Sequence, residues 1–195
     1  MIKMVKLKIY LFRHGQTNYN KKKIFTGWKD SKLTSLGIKQ AQVVGKKLKG
    51  KKFQVAFYTR LSRSKDTLKE VLKGHSECIR LIEDDRMIER SYGDLSGMTH
   101  KKYIEKVGQK KFDMIHRGYD TPPPNGESYA MVEKRVKEFI KYLKDFMGQE
   151  KVNVAISAHG NSIRLFRKIM EGVSKKEIAK WDIPYEDYFE YDVEV

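Results

Sequence analysis

The stretch Leu7-Lys8-Ile9-Tyr10-Leu11-Phe12-Arg13-His14-Gly15 decides how this chain folds. Its β-rich and mostly apolar run over residues 7–12 predicts a short buried strand, which ends abruptly at Arg13. A second apolar run over 152–157 predicts another strand, followed by Ala158-His159-Gly160. Two predicted strands therefore each lead into a histidine–glycine pair.

Strands and helices alternate along the rest of the chain. Further strands are predicted at 55–58 and 79–82, and helices at 33–48, 62–72, 126–147 and from near residue 162. Thr34 is a suitable N-cap for the first helix and Gly50 a stop signal. The alternation predicts an α/β fold, a three-layer sandwich with a mostly parallel central sheet flanked by helices on both faces. We expect a single domain over 1–195, with residues 91–125 as a small cap or lid because their periodicity is weaker and they hold three consecutive prolines.

The two histidine–glycine pairs favour chemistry over a structural role. In sheets of this kind, ligands gather at the carboxyl ends of the strands. His14 and His159 are both predicted to lie there, and we expect the glycine after each to let the backbone approach a ligand. The helix that follows His159 is expected to offer free N–H groups to an anion.

Composition limits the partners that the chain can have. Its 195 residues include 41 Lys+Arg and 25 Asp+Glu, a formal net charge of +16, with 39% hydrophobic residues. This mixture is too apolar for a disordered chain and too polar for a membrane protein. Cys78 is the single cysteine, which suits a reducing compartment, and we expect a soluble cytoplasmic protein.

The positive charge predicts an anionic partner, which could be nucleic acid, a membrane surface or a small phosphorylated molecule. Of the basic residues 31 are lysine, which is typical of solvated surfaces, and no basic motif with interleaved aromatic residues is present. We therefore predict a small phosphorylated substrate, with no nucleic-acid and no membrane partner, as monomer or homodimer. Lysines are expected to take no part in recognition, although Lys21, Lys22 and Lys23 are predicted to steer substrate at the mouth of the site.

The residues at 11–17, Leu-Phe-Arg-His-Gly-Gln-Thr, resemble the signature of the histidine phosphatase superfamily. Within it, the chain most closely resembles the cofactor-dependent (2,3-bisphosphoglycerate-dependent) phosphoglycerate mutases. The motifs that carry this resemblance follow in order over residues 7–184: Asn20, Phe25-Thr26-Gly27-Trp28, Ser62-Arg63-Ser64, Glu89-Arg90-Ser91-Tyr92-Gly93, Tyr119 to Pro124, Gly126-Glu127-Ser128 and Ala158-His159-Gly160-Asn161-Ser162-Ile163-Arg164.

This resemblance implies roles for five residues. His14 is implied as the nucleophile that accepts a phosphoryl group, and dividing the transfer into two steps lowers the barrier to each. Arg13, Arg63 and His159 are implied to stabilise the charge on that group, a task that suits the planar arginine fork. Glu89 is the implied general acid–base, although Glu83, Asp84 and Asp85 lie near it in sequence and only the resemblance distinguishes them.

Substrate contacts are also implied by the resemblance. They are Asn20, Thr26, Gly27, Tyr92, His100, His116, Arg117, Gly160 and Asn161. Tyr92 could equally be a core aromatic residue. His100 and His116 depart from the family, which usually has a lysine and a second arginine there, and a neutral imidazole weakens the fixed positive charge near the substrate carboxylate. The alternative for both is an exposed polar residue of the cap.

The implied function is a phosphoglycerate mutase that interconverts 3-phosphoglycerate and 2-phosphoglycerate through phosphorylated His14. The implied cofactor is 2,3-bisphosphoglycerate as the phosphoryl primer. No metal is expected, because the five histidines and Cys78 show no ligand spacing. The larger mutases have a longer segment between the proline run and Gly126-Glu127-Ser128, and a tail beyond the last strand that helps to cover the site. A phosphohistidine open to water hydrolyses, so a phosphatase acting on a small phosphorylated metabolite remains the alternative.

Overall fold

The sheet follows the predicted alternation. A computed structural model describes residues 5–195, and in this range five strands form one sheet in the order β3-β2-β4-β1-β5. The strands are β1 (Lys6–Arg13), β2 (Val55–Tyr58), β3 (Arg80–Glu83), β4 (Val154–Ala158) and β5 (Tyr188–Glu194). The first four are parallel, and β5 runs antiparallel beside β1. The mostly parallel sheet is thus confirmed.

Residues 5–195 also contain eight α-helices. They are α1 (Asn18–Lys21), α2 (Ser35–Lys47), α3 (Ser62–Leu72), α4 (His100–Val107), α5 (Gln109–Arg117), α6 (Tyr129–Glu150), α7 (Gly160–Glu171) and α8 (Lys175–Ile178). The Thr34 hydroxyl caps α2 as predicted, accepting from the Gly37 N–H at 3.0 Å. Two predicted starts were wrong: α6 begins three residues later because Ser128 caps it, and α7 begins at Gly160 with His159 as its N-cap.

Alternate residues of β1 face two different apolar clusters. Ile9 and Leu11 pack with side chains of α6 and α7, whereas Tyr10 and Phe12 pack with side chains of α2 and α3. Parallel strands that are buried on both faces show this near-continuous apolar sequence. The helices therefore cover both faces of the sheet, and the three-layer sandwich is confirmed.

The predicted cap region has an apolar cluster of its own. Residues 91–125 contain α4 and α5, and the cluster comprises Phe25, Tyr92, Leu95, Tyr103, Phe112 and Ile115. Arg90, which is fully buried, ties this region to the body by donating to the backbone carbonyls of Ile115, His116 and Glu127. That the segment acts as a lid stays a prediction.

The acidic strand β5 lies against the basic strand β1. Lys8 forms ion pairs with Glu190 and Asp192, Lys6 pairs with Asp192, and Lys51 pairs with Glu190. Part of the excess positive charge near the start of the chain is thereby neutralised within the fold. None of the helices described between residues 5 and 195 has the length and apolar composition needed to cross a lipid bilayer.

Candidate active site

The two histidine–glycine pairs meet at the carboxyl edge of the sheet. β1 and β4 are neighbours, with Arg13 in register with Ala158, so the residues that follow them lie side by side. The ring centroids of His14 and His159 are 5.1 Å apart, and both side chains are buried.

The Nδ1 atom of His14 lies 2.7 Å from the Gly15 carbonyl oxygen. A carbonyl can only accept a hydrogen bond, so Nδ1 carries the proton and Nε2 keeps its lone pair. Burial lowers the pKa of His14 well below its ordinary value, and the charges of Arg63 and Arg13 lower it further. His14 is therefore a neutral imidazole whose Nε2 is available as a nucleophile.

Gly15 is needed for packing and not for approach to a ligand, which corrects the expectation from sequence. A Cβ atom on Gly15 would lie 2.1 Å from the Gly37 carbonyl oxygen, and one on Gly37 would lie 2.1 Å from the Gln16 carbonyl oxygen. The His14 loop thus contacts α2 backbone to backbone. The Gly15 N–H donates to the Thr67 hydroxyl of α3 at 3.0 Å, which fixes the loop from a second side.

Arg13, the last residue of β1, is held by the segment that precedes β5. Its Nη1 donates to the Ile183 carbonyl at 2.8 Å, and its guanidinium lies 4.0 Å from the ring centroid of Tyr185. Its buried Nε has no hydrogen-bond partner in the described chain. Gly160 lies beside this guanidinium, since a Cβ there would be 3.4 Å from the Arg13 Cζ atom.

Arg63, the second residue of α3, is only 1% exposed. Its two Nη atoms donate to the carbonyls of Lys29 and Gly27 at 3.0 and 2.7 Å, while its Nε has no partner among residues 5–195. Burial lowers the pKa of this guanidinium to about 10, even though Glu89 opposes the shift. The charge of Arg63 is thus buried at the start of a helix, where a bound anion would compensate it.

Arg164 is a site residue that the sequence reasoning missed. Its Nη1 donates to the Asn161 side-chain oxygen at 2.7 Å, its Nη2 donates to the Trp181 carbonyl, and its buried Nε lacks a partner in the described chain. The Tyr129 hydroxyl also donates to the Asn161 oxygen. The spacing of three residues between Asn161 and Arg164, on a helix that starts beside a site histidine, is the signal that could have identified it.

Glu89 is 8% exposed and its carboxylate faces the histidines. Its Oε1 accepts from the backbone N–H groups of Arg90 at 2.8 Å and Asn161 at 3.2 Å, and the Trp28 indole donates to its carbonyl oxygen. The backbone N–H of Asn161, in the first turn of α7, was predicted to be free for a ligand anion. It donates instead to the Glu89 carboxylate of the protein itself.

The other acidic residues of the 83–89 stretch lie elsewhere. Asp84 pairs with Arg86 and Asp85 pairs with Arg60, while Glu83 is exposed at the end of the edge strand β3. None of these three carboxylates lines the pocket that contains His14. Of these four acidic residues, only Glu89 lines the pocket, and the folded structure distinguishes it where its position in the sequence did not.

His14, Glu89 and His159 each present a ligand atom, and these atoms lie within 4.8 Å of one another. The fold thus assembles a trio that spacing along the sequence did not reveal. Arg13 and Arg63 place positive charge beside the trio, which favours an anion over a metal cation. Burial, with Arg63 next in effect, also lowers the pKa of His159, whose Nε2 lies 2.8 Å from the Thr59 hydroxyl.

All the predicted substrate contacts line one pocket above His14. They are Asn20, Thr26, Gly27, Tyr92, His100, His116, Arg117, Gly160 and Asn161. Lys23 lines the same pocket, although no lysine was among the predicted contacts. Tyr92 lines the pocket and also belongs to the apolar cluster of the cap, so it is both a predicted substrate contact and a core aromatic residue.

His100 and His116 are half-buried, so the alternative of exposed polar residues was wrong.

A model of the histidine phosphatase superfamily (branch 1) matches residues 9–193, nearly the whole chain. The chain belongs to the histidine phosphatase superfamily. The resemblance drawn from the Arg-His-Gly signature and its companion motifs is confirmed at that level.

Other members of this superfamily are similar along most of their length. A protein of Chelativorans sp. (strain BNC1) is 38% identical over 180 residues, covering 90% of this chain and 86% of that relative. A protein of Methylorubrum extorquens (strain PA1) is 40% identical over 183 residues, covering 90% and 84%. Both are named 2,3-bisphosphoglycerate-dependent phosphoglycerate mutase.

Solved structures share the fold of this chain. The alpha-ribazole phosphatase from Shigella flexneri superposes with a TM-score of 0.82 at 21% identity, covering 94% of this chain and 89% of that one. A mycobacterial glucosyl-3-phosphoglycerate phosphatase superposes with a TM-score of 0.77 at 22% identity, covering 90% and 84%. At this identity the likeness concerns the fold alone.

Proposed function

We propose that this superfamily member is a phosphoglycerate mutase that interconverts 3-phosphoglycerate and 2-phosphoglycerate through phosphorylated His14. One observation carries the proposal. Within residues 5–195, the Nε2 atom of the neutral, buried His14 makes no hydrogen bond, and the guanidinium groups of Arg13, Arg63 and Arg164 in the same pocket each keep a buried nitrogen without a partner. The names of relatives that are 38–40% identical support the choice of substrate.

In the first transfer, Nε2 of His14 forms a bond to phosphorus while the bond from phosphorus to the leaving oxygen breaks. Glu89 donates the proton that this oxygen needs, and in the second transfer its carboxylate takes a proton from the attacking hydroxyl. Arg13, Arg63 and His159 surround the place where the transferred group lies and stabilise its equatorial oxygens. Because these groups are held by backbone carbonyls and by Thr59, they need little reorganisation during the reaction.

The residues present fit 2,3-bisphosphoglycerate as a primer. Five cationic side chains line the pocket, namely Arg13, Lys23, Arg63, Arg117 and Arg164, against the two carboxylates of Glu89 and Asp182. Arg13 and Arg63 would hold one phosphate beside His14, and Lys23 and Arg117 are placed on the cap side for the second. When bound, this group supplies the phosphoryl that charges His14.

Water exclusion decides between transfer and hydrolysis. Part of the wall over Arg13 comes from Ile183 and Tyr185, which lie between α8 and β5. A phosphatase acting on a small phosphorylated metabolite is the second candidate, and the neutral imidazoles of His100 and His116 favour it because they add no fixed charge for a second anionic group.

The deciding experiment incubates the protein with 3-phosphoglycerate, with and without 2,3-bisphosphoglycerate, and follows 2-phosphoglycerate and free phosphate together. Primer-dependent isomer formation with little free phosphate is the expected result. Free phosphate as the main product would overturn the mutase proposal in favour of the phosphatase. A His14→Asn variant serves as the control, since it can form no phosphohistidine.

A further inference from the structure

The candidate acid Glu89 lies in a buried segment that has no regular structure. Residues 88–92 belong to neither a helix nor a strand, yet Ile88, Glu89 and Arg90 are all buried. A backbone of this kind has no ladder of hydrogen bonds, so its buried carbonyl and N–H groups need side-chain partners. The place of the Glu89 carboxyl is therefore set by the side chains that bind this segment.

A guanidinium from α6 binds three carbonyls around Glu89. Arg135 donates from Nη1 to the carbonyls of Arg86 and Ile88, each at 2.8 Å. Its Nη2 donates to the carbonyl of Glu89 itself at 3.2 Å. A planar fork with several N–H groups in fixed directions can serve carbonyls of successive residues in this way, whereas a single ammonium cannot.

The remaining N–H groups of Arg135 bind the carboxylate of Glu127. Nε donates to Oε1 and Nη2 to Oε2, both at 3.0 Å, and the two side chains are 17% and 14% exposed. Glu127 Oε2 also accepts from the Ser91 N–H at 2.8 Å, and the Glu127 N–H donates to the Ser91 carbonyl at 2.9 Å. Hydrogen bonds between charged groups are about twice as strong as neutral ones. The pair of Arg135 and Glu127 thus holds the chain on both sides of Glu89.

Arg135 is used differently from the arginines of the pocket. Each of its N–H groups already donates within the protein, and among residues 5–195 it is not part of the lining of the pocket that contains His14. Arg13 and Arg63, by contrast, line that pocket, and each has a buried Nε without a partner in the described chain. Arg135 therefore has no free donor for a ligand, and its contacts lead to Glu89 instead.

The chemistry depends on where this segment holds the Glu89 carboxyl. A general acid must lie within hydrogen-bond reach of the oxygen that it protonates, and a misplacement of about 1 Å can cost about 100-fold in rate. The Trp28 indole also donates to the Glu89 carbonyl, at 2.7 Å, but it supplies only one N–H. Arg135 is the side chain that binds Glu89 together with the residues before it.

We propose that Arg135 is the positioning residue for Glu89: with Glu127 it fixes residues 86–91 so that the Glu89 carboxyl reaches the leaving oxygen. The proposal rests on the acid–base role that the proposed function gives to Glu89. In that step the bond from Nε2 of His14 to phosphorus forms, the bond from phosphorus to the leaving oxygen breaks, and the proton passes from Glu89 to this oxygen. Arg135 neither gives nor takes a proton.

The test compares two phosphate donors that differ in their need for an acid. Benzyl phosphate leaves as an alkoxide that must be protonated, whereas 4-nitrophenyl phosphate leaves as a phenolate that is stable without a proton. With enzyme in excess, release of benzyl alcohol or nitrophenolate in a single turnover reports the phosphorylation of His14. Glu89→Gln is the reference, and we expect it to slow release from benzyl phosphate by about 100-fold or more and release from 4-nitrophenyl phosphate by less than about fivefold.

Arg135→Lys keeps the positive charge beside Glu127 but loses the planar fork. We expect it to slow release from benzyl phosphate by about tenfold to 100-fold and release from 4-nitrophenyl phosphate by less than about threefold. Glu127→Gln is the second variant, because it keeps the shape of the pair and weakens its charge-assisted bonds, and it should show the same preference for the nitrophenyl donor.

Arg167→Lys is the matched control for a loss of stability alone. Arg167 lies on α7, its side chain is also 17% exposed, and it forms the same kind of two-point pair with Glu171, at 2.9 and 3.0 Å. Its thermal unfolding midpoint should fall as that of Arg135→Lys does, while the ratio of the rates with the two donors should stay that of the wild type.

A double variant asks whether Arg135 acts through Glu89. In the Glu89→Gln protein there is no proton to deliver, so adding Arg135→Lys should slow release from benzyl phosphate by less than about twofold more. Effects of the two substitutions that multiply, or an Arg135→Lys protein that slows both donors equally or slows neither, would overturn the proposal.

The comparison also separates this proposal from the proposed function. If Glu89→Gln slows both donors equally, the acid role of Glu89 is refuted and the positioning role with it. If Glu89→Gln discriminates between the donors but Arg135→Lys does not, only the role of Arg135 is refuted. Neither donor is a phosphoglycerate, so the isomerisation assay decides between mutase and phosphatase independently.

Discussion

The backbone N–H of Asn161 donates to Oε1 of Glu89 at 3.2 Å, so the helix that follows the second site histidine holds the candidate acid. The positive end of α7 favours a carboxylate there. In the proposed mechanism, recognition of the ligand phosphate therefore falls to arginine side chains, whose buried Nε atoms have no partner in the described chain. The dipole of α7 thus stabilises the Glu89 carboxylate, and the arginine charges remain for the phosphate of the proposed ligand.

Replacing Glu89 by Gln is expected to slow turnover by about 100-fold to 10,000-fold, because the amide cannot give a proton to the leaving oxygen. The amide oxygen can still accept from the N–H groups of Arg90 and Asn161, so the fold should remain intact. The measurement is kcat for isomerisation, with the thermal unfolding midpoint followed in parallel.

Glu83→Gln is the matched control, since this carboxylate belongs to the same acidic stretch but is exposed on β3. Its turnover should equal that of the wild type. A Glu89→Gln protein with near-normal turnover would remove Glu89 from the chemistry.

Gly37→Ala is expected to damage both stability and activity. The new Cβ would lie 2.1 Å from the Gln16 carbonyl oxygen, so the backbone next to His14 must move. Overpacking of this kind typically costs about 1–3 kcal/mol, and a shift of about 1 Å at a reacting group can cost about 100-fold in rate. Urea unfolding and kcat report the two effects.

Gly74→Ala provides the comparison. A Cβ at Gly74 meets nothing within 4 Å, so this variant should be neutral or slightly more stable than the wild type. If Gly37→Ala behaves like Gly74→Ala, the close contact between the His14 loop and α2 has no energetic weight.

Stability should fall as the pH drops below the ordinary pKa of histidine, about 6.5. His14, His159 and His116 have lowered pKa values in the folded chain, so the unfolded chain binds more protons below that pH. Each such group costs up to about 1.4 kcal/mol per pH unit. Lowered carboxylate pKa values, as at Glu133, act only at more acidic pH.

Urea unfolding between about pH 7.5 and about pH 5.5 measures this slope. The His14→Asn and His159→Asn double variant should show a smaller slope than the wild type, because two of the groups that must stay neutral have been removed. An identical slope in the two proteins would mean that neither histidine is held neutral by the fold.

Local patterns predicted most of the elements that carry the site. β2 and α3 have the predicted bounds because a short apolar run and a 3.6-residue period are local signals. The positions of His14 and His159 followed from the same signals together with the geometry of parallel sheets. The antiparallel pairing of β5 with β1 depends on contacts between the two ends of the chain, and no local pattern specified it.

Other features of the site arise only from the folded arrangement. Gly15 reads in sequence as a residue that admits a ligand, but the contact that requires it is the Gly37 backbone of a different element. The role of Arg164 depends on a side-chain oxygen of Asn161 that is itself oriented by Tyr129. Lys23 lies in the turn that follows α1, and its own backbone has a positive φ of 51° there. This turn, which lies beside the cap, makes Lys23 part of the pocket lining.

The position of Lys23 divides the three lysines into two groups. All three are exposed, but Lys23 lines the pocket while Lys21 and Lys22 do not. A charge that touches the ligand acts within the Debye length of about 8 Å and is weakly screened, whereas more distant charges act only through the long-range field.

Lys23→Gln should therefore raise KM about fivefold at both low and high salt. The Lys21→Gln and Lys22→Gln double variant should lower kcat/KM only at low salt. Steady-state kinetics over a range of ionic strength separate the two effects. The same salt profile for both proteins would show that Lys23 steers the substrate and does not bind it.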